Sequence, residues 1–321
     1  MPHEQASGQA FASIILHDAE DVVHASALDV FVAHLQHHDF VQLPVVPLLD
    51  PASRLVGGHY ADEFAEAHGK ALPVRNRLGL AIPCAGVGCA FRRDMLHHLA
   101  LRSPENTPFA TDSLTEDYEL GLRIYEHGGR GHFVRMRDAA GDLVATRSYF
   151  PSDLSGAVRQ KTRWTIGIAL VGWDRMGWGK GAAEFWMRLR DRRAALAAVA
   201  LLSGYAGLAL WLLVALASEA GLVQPQPLSP AFRLLMLANG VILIWRLAMR
   251  ALFTGRQYGV REAFWSVPRM FVGNIIAVMA ARRAVAAYAA SLRGAPLPWD
   301  KTRHHIPAAP PRAGAGVPGD G

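Results

Sequence analysis

Three short stretches of this 321-residue sequence bring together side chains that can do chemistry. The first is His17-Asp18-Ala19-Glu20-Asp21, directly after the apolar run 11–16. Carboxylates this close repel one another unless a cation joins them, and hard oxygen ligands suit Mg²⁺ or Mn²⁺ bridging a diphosphate. Acids capping a strand-to-helix turn would read the same way. The second is Ser113-Leu114-Thr115-Glu116-Asp117-Tyr118, where Ser113 and Glu116 have the spacing of a capping box and a helix is expected through Glu126. Asp117, in its first turn, is placed to face a cleft as a general base. The third is Gln160-Lys161-Thr162-Arg163-Trp164, within a predicted helix over 155–172. Spacings of three and four put Gln160, Arg163 and Trp164 on one face. An aromatic ring beside a guanidinium and an amide makes a stackable polar wall suited to a sugar or a phosphate. The same trio would also serve a juxtamembrane helix with an interfacial Trp.

Alternating elements must position these groups. Residues 11–16 read as a buried strand ending at the acidic cluster, 27–35 as a helix and 40–46 as a strand. Residues 61–68 read as a helix, and 80–83 as a strand running into a Gly-rich loop. That order predicts an α/β sheet, and ligands on such sheets bind beyond the carboxyl ends of the strands, where the acidic cluster falls.

Composition places part of the chain outside water. Charged residues are only 19% against 51% hydrophobic, and mean hydropathy is +0.14. Disordered, collagen-like and disulfide-scaffold classes are excluded for most of the chain. Cys84 and Cys89 alone cannot make a zinc site and fit a reducing compartment. The net charge of +6 comes from arginines concentrated after Arg159, beside apolar runs, which points to anionic lipid rather than nucleic acid. No nucleic-acid-binding motif competes, and no secretory signal is predicted. Residues 194–217 contain no charge and, as a helix, extend about 36 Å, enough to span a bilayer. Arg188, Arg190, Arg192 and Arg193 precede this run, so the positive-inside rule puts the N-terminal half in the cytoplasm. Residues 234–253 return inward, with Arg246 and Arg250 near the cytoplasmic end. In a soluble protein the two runs would instead form a buried helical hairpin. The apolar core of 263–290 is short and bracketed by Pro268, Arg269, Arg282 and Arg283, so an interfacial or re-entrant helix is expected there. The Pro/Gly/Ala-rich tail 306–321 is predicted to be disordered. The clustered His34, His37 and His38 read as a solvated helix face rather than a metal site.

Taken in order, the acidic cluster, Thr-Glu-Asp, Q-x-x-R-W and the following membrane helices resemble the processive-type membrane glycosyltransferases of family 2. These are the relatives of cellulose and hyaluronan synthases with a GT-A fold. A bacterial inner-membrane branch of that family is similar also in HDAEDVVH, PCAGVGCAFRR, SLTEDYELGLR, YFP, VRQKTRW and the late PWDKTRHHIP, so the resemblance runs from about Ile14 to Ile306.

The resemblance implies a role for each matched residue. Asp18 and Glu20 match the positions that hold the metal and diphosphate, with Glu in place of the usual second Asp and Asp21 sharing that role. Asp117 matches the base that deprotonates the acceptor hydroxyl, with Glu116 beside it. Gln160, Arg163 and Trp164 match the motif holding the acceptor end and the nucleotide diphosphate, and Gly86 and Gly88 lie in the acceptor-side loop. Trp299, Lys301 and Thr302 match a motif that follows the last membrane element. The implied fold is the C-terminal portion of a GT-A domain (1–180), then a membrane domain with two transmembrane helices and an interfacial helix (181–292), then a cytoplasmic tail (293–321). The implied reaction is inverting transfer from a nucleotide-diphosphate sugar to a glycan or lipid acceptor, with Mg²⁺ or Mn²⁺, on the cytoplasmic side of the bacterial inner membrane. In the family a nucleotide-binding half precedes the acidic strand. Only residues 1–10 do so here, so a truncated start, or another chain completing the sheet, is expected. A non-catalytic scaffold in envelope polysaccharide export or a phage-receptor assembly is the competing class, and two spans predict export partners. A phosphohydrolase lacks the denser ligand set of a two-metal site.

Overall fold

The computed structural model describes residues 2–224 and 227–297. The first elements are α1 (Pro2–Ser7), β1 (Ser13–Leu16), β2 (Val22–Val23), α2 (Ala27–Leu35), β3 (Phe40–Gln42), β4 (Val45–Pro47), α3 (Val56–Glu66) and α4 (Leu72–Arg77). After these come β5 (Cys89–Arg92), α5 (Arg93–Ala100), α6 (Glu116–Glu126), β6 (Gly131–Phe133), β7 (Thr146–Ser148), α7 (Leu154–Trp164), α8 (Gly172–Met176) and α9 (Ala182–Arg192). Three long helices follow, α10 (Ala194–Glu219), α11 (Pro230–Tyr258) and α12 (Val260–Ser291). The α/β expectation is borne out, in a mixed sheet of order β1-β5-β3-β6 and a smaller one of order β2-β7-β4.

Alternation along the strands explains why the main sheet is covered on both sides. Phe40, Cys89 and Phe91, with Ile14 and Leu16, face α5 and α6 through Leu96, Leu99, Leu120 and Ile124. Val41, Ala90 and Ile15 face α2 through Ala27, Phe31 and Leu35. β5 runs antiparallel to both neighbours, and its Cys89 pairs with Leu16 on one side and Gln42 on the other. The carboxyl ends of β1 and β3 therefore meet the loop that enters β5.

Several sequence expectations are corrected here. The single strand over 40–46 breaks into β3 and β4 in different sheets, because Pro44 has no N–H to continue a ladder. Val45 N–H donates instead to His68 Nδ1 (2.9 Å). Residues 80–83 are not a strand: Ala81 N–H donates to Glu184 (3.3 Å) and the Ala81 carbonyl accepts from Arg75. The Ser113–Glu116 capping box does not form. The Ser113 hydroxyl donates to Glu119 Oε1 (2.6 Å) and accepts from Thr115 N–H (3.2 Å), leaving Thr115 as N-cap. The helix expected over 155–172 loosens into a π-helical segment, Thr165–Val171, just beyond Trp164. A π segment of this kind is often found beside a functional site.

All three long helices have the length and apolar composition to cross a membrane. No residue in the apolar windows of α10 and α11 is buried, which excludes a buried hairpin. α12 differs, because Ser266, Arg269, Ile276, Ala280 and Ala284 form a buried stripe while Phe264, Phe271, Ile275 and Met279 stay exposed. Ile276 packs on Tyr60 and Val158, and Ala284 on Leu114 and Ile166. The fully buried Arg269 donates to Asp62 (3.0 Å) and to the Arg54 carbonyl (2.9 Å) and pairs with Glu262. Thr254, near the end of α11, also donates to Asp62 (3.2 Å). Trp299, Lys301, Thr302 and the tail beyond them lie outside the described residues.

Candidate active site

Five segments converge on one cavity of about 500 Å³ where β1 and β3 end. That volume lies within the range of sites that enclose small organic ligands, about 300–1,000 Å³. The turn after β1 supplies Asp18 and Glu20, the loop into β5 supplies Gly86, and the first turn of α6 supplies Glu116 and Asp117. Tyr149 and Phe150 follow β7, and Gln160, Arg163 and Trp164 close α7. The shared helical face expected for the last three is borne out.

Asp117 is half-buried, and its carboxyl is pushed up to about 6, chiefly by burial, with Glu116 adding to the rise and Tyr118 N–H and Arg163 opposing it. Tyr118 N–H donates to Asp117 Oδ1 (2.7 Å), which fixes the carboxylate at the helix start. A carboxyl titrating near neutrality suits proton transfer. Gly86 makes room for it: its φ is +79°, and a Cβ there would fall on Asp117 Oδ2. Gly121 in α6 likewise lets the helix press on the Ile82 carbonyl and Cys84 N–H, which sets the height of Asp117 over the loop. In the opposite wall Gln160 Oε1 and Arg163 Nε are buried with no hydrogen-bond partner among the described residues. Buried polar atoms cost free energy unless a partner arrives, so a polar ligand in the cavity would satisfy both. Trp164 is held edge-on to Tyr60 (6.2 Å between centroids), with Lys161 Nζ 5.0 Å above its ring.

Not every sequence candidate reaches the cavity. Asp21 turns back, accepting from Asp18 N–H (2.9 Å) and lying 3.6 Å from His17. Gly88 (φ +61°) lies outside the lining, and its carbonyl accepts from Gln42 Nε2 (3.1 Å).

Residues 13–281 match the family described as Glycosyl transferase family group 2. The chain belongs to that family. It is 33% identical, over 334 aligned positions, to bacteriophage adsorption protein B of Escherichia coli K12 and to bacteriophage N4 adsorption protein B of Escherichia coli O157:H7. In each case the alignment takes in 95% of this chain and 44% of the relative, so the chain spans less than half the length of these proteins.

Family 2 enzymes generally use a divalent metal. Among the described residues no three His, Cys, Asp or Glu side chains converge as a ready-made metal site. Asp18 and Glu20 nevertheless fit a small hard cation that takes its remaining oxygens from phosphate and water, the usual manner of Mg²⁺.

Gln42 was missed in the sequence. It is fully buried, donates to the carbonyls of Leu43 (2.9 Å), Val87 (2.9 Å) and Gly88 (3.1 Å), and accepts from Ala85 N–H (2.9 Å). It thereby ties the loop that presents Gly86 to the end of β3. The signal was available, a single amide inside the apolar run Phe-Val-Gln-Leu-Pro-Val-Val.

Proposed function

We propose that this chain carries the reaction centre of a membrane glycosyltransferase that moves a sugar from a nucleotide-diphosphate donor to a hydroxyl of a glycan or lipid acceptor, with inversion. The observation that carries the reading is the meeting, in one cavity, of the Asp18–Glu20 pair, Asp117 and the unsatisfied Gln160–Arg163 wall. Asp117 takes the acceptor's hydroxyl proton. The oxygen attacks the anomeric carbon from the face opposite the diphosphate, and the bond from that carbon to the phosphate oxygen breaks. A bound cation would be held by Asp18 and Glu20 and would offset the charge of the departing diphosphate. Arg163 and Gln160 bind and orient the phosphate and acceptor oxygens, Trp164 stacks on a sugar ring, and the Gly86 loop keeps Asp117 in place.

In the same proposal α10 and α11 cross the bacterial inner membrane, and α12 lies along its cytoplasmic surface. Its buried stripe and opposite apolar face support that placement. The names of the relatives concern bacteriophage adsorption, which fits an envelope product. The test is the full chain in membranes of its host, with a panel of nucleotide-diphosphate sugars and Mn²⁺, read as nucleotide diphosphate released and sugar incorporated. Saturable donor-dependent release, lost in Asp117→Asn, is expected. Failure to bind any donor, or an Asp117→Asn variant with unchanged transfer, would sink the proposal in favour of a non-catalytic component.

A further inference from the structure

Behind the substrate cavity lies a smaller one of about 90 Å³, between the catalytic domain and the last turns of α11. Val45 and Phe64 stand in the walls of both. Val46 and Leu143 make its buried side and Phe253 faces them from α11, whereas the exposed Arg135 and Arg256 bring positive charge to it. Among the described residues neither arginine has an ion-pair partner, and Arg256 lies over the Phe253 ring (5.8 Å). Partial desolvation and the neighbouring Arg137 push the Arg135 guanidinium down. His68 accepts from Val45 N–H and is held neutral by burial, at about 3, so it adds no cation of its own.

Size and position narrow the ligand. At about 90 Å³ the cavity is well below the roughly 300–1,000 Å³ of sites that enclose a whole organic ligand, so it suits a small group such as a phosphate. Phe253 stands eight residues beyond Trp245, the end of the exposed apolar run Val241–Trp245, hence about 12 Å further along the helix. For a helix that crosses a bilayer, that distance reaches the headgroup layer, where basic pockets between protein elements take anionic lipid.

We propose that this cavity binds the phosphate of an anionic phospholipid headgroup from the surrounding bilayer, and that the bound lipid braces the Val45–Phe64 wall of the substrate cavity. The binding relies on the chain residing in a bilayer and not on its transferring sugar, so the two proposals fail separately.

The test uses the full chain in nanodiscs of equal phosphatidylglycerol and phosphatidylcholine, with lipid retained on release counted by native mass spectrometry. At about 1 kcal/mol per arginine near the membrane surface, R135Q/R256Q is expected to retain phosphatidylglycerol at least tenfold more weakly than the unaltered chain. The control R77Q/R102Q, which removes the same charge from exposed positions elsewhere, should retain it unchanged. Equal losses in both pairs, or no loss in R135Q/R256Q, would overturn the site. Complete displacement of the lipid by excess inorganic phosphate would overturn the lipid as its source. If the double variant does not fold, R135Q and R256Q taken singly carry the test, each with a severalfold loss expected.

Discussion

Replacing Asp117 by Asn should make the protein more stable while removing its activity. Burial raises this carboxyl from 3.8 to about 6, so the folded state holds the proton more tightly than the unfolded chain does. The sign follows from linkage: a raised carboxyl costs nothing at low pH, and the cost grows as pH climbs through the interval from 3.8 to about 6 and is complete above it. That interval corresponds to about 3 kcal/mol at 1.36 kcal/mol per pH unit. The side chain opens on a cavity, so solvent screens part of the cost and about 1–2 kcal/mol is expected. Asn keeps the acceptor for Tyr118 N–H and carries no charge. At about 2–4 °C per kcal/mol, D117N should melt roughly 2–8 °C higher than the unaltered chain at pH 8. The gain should shrink as pH falls through 6 and vanish below about 4. Transfer should fall by at least about 100-fold, the scale of a lost general base. Melting curves in detergent at pH 8, 6 and 4, beside a transfer assay, decide the matter. A D117N protein that melts lower at pH 8, or a difference independent of pH, would refute the electrostatic account of this site.

In the unaltered chain the acid limb of transfer should follow ionisation of Asp117, falling about tenfold per pH unit well below 6, as a pH–rate profile at saturating donor would show. Gly86→Ala should lose both stability and transfer, since φ of +79° costs a side-chain-bearing residue about 1–2 kcal/mol and the new methyl collides with Asp117. A fully active G86A would contradict the packing described. Removal of Arg269 leaves Asp62 buried without its cation, so R269A should cost about 3–5 kcal/mol and open the α12 seam to limited proteolysis, while E262Q should be milder. Chelation should abolish transfer and Mn²⁺ restore it, with D18N needing at least about tenfold more metal, consistent with loss of one of few ligands. Equal metal requirement in D18N would remove Asp18 from the proposed site.

The parts legible in the sequence were those written in local chemistry. The boundaries of α2 and the shared face of Gln160, Arg163 and Trp164 follow from helical periodicity, and the start of α10 directly after Arg193 follows from charge. What failed depended on which of several possible partners each group took in three dimensions. Residues 80–83 have the apolar run of a strand, yet their peptide groups are taken by Arg75 and Glu184, the latter 103 residues away from Ala81. Ser113 has capping spacing, but Glu119, about one turn into the helix, claims its hydroxyl. Asp21 is chemically equal to Asp18 in the sequence, and only the turn into β2 separates one from the cavity. The role of Gln42 required knowing that β3 ends beneath the Gly86 loop, a fact of strand order rather than of composition.

The buried pair of Asp62 and Arg269 also sets a timetable. Its members are 207 residues apart in the chain, and at about 5–20 residues per second a ribosome needs roughly 10–40 s to make the second after the first. For that interval the newly made catalytic domain has an acid facing an absent helix, together with the bare apolar seat on Tyr60 and Val158 that Ile276 will fill. The domain therefore reaches its finished form only once α12 has emerged, and if α10 and α11 cross a bilayer as proposed, their delivery to it comes before the domain is closed. On that proposed topology, a ribosome stalled between α11 and α12 would leave a protein already at the membrane and still unfinished at its centre.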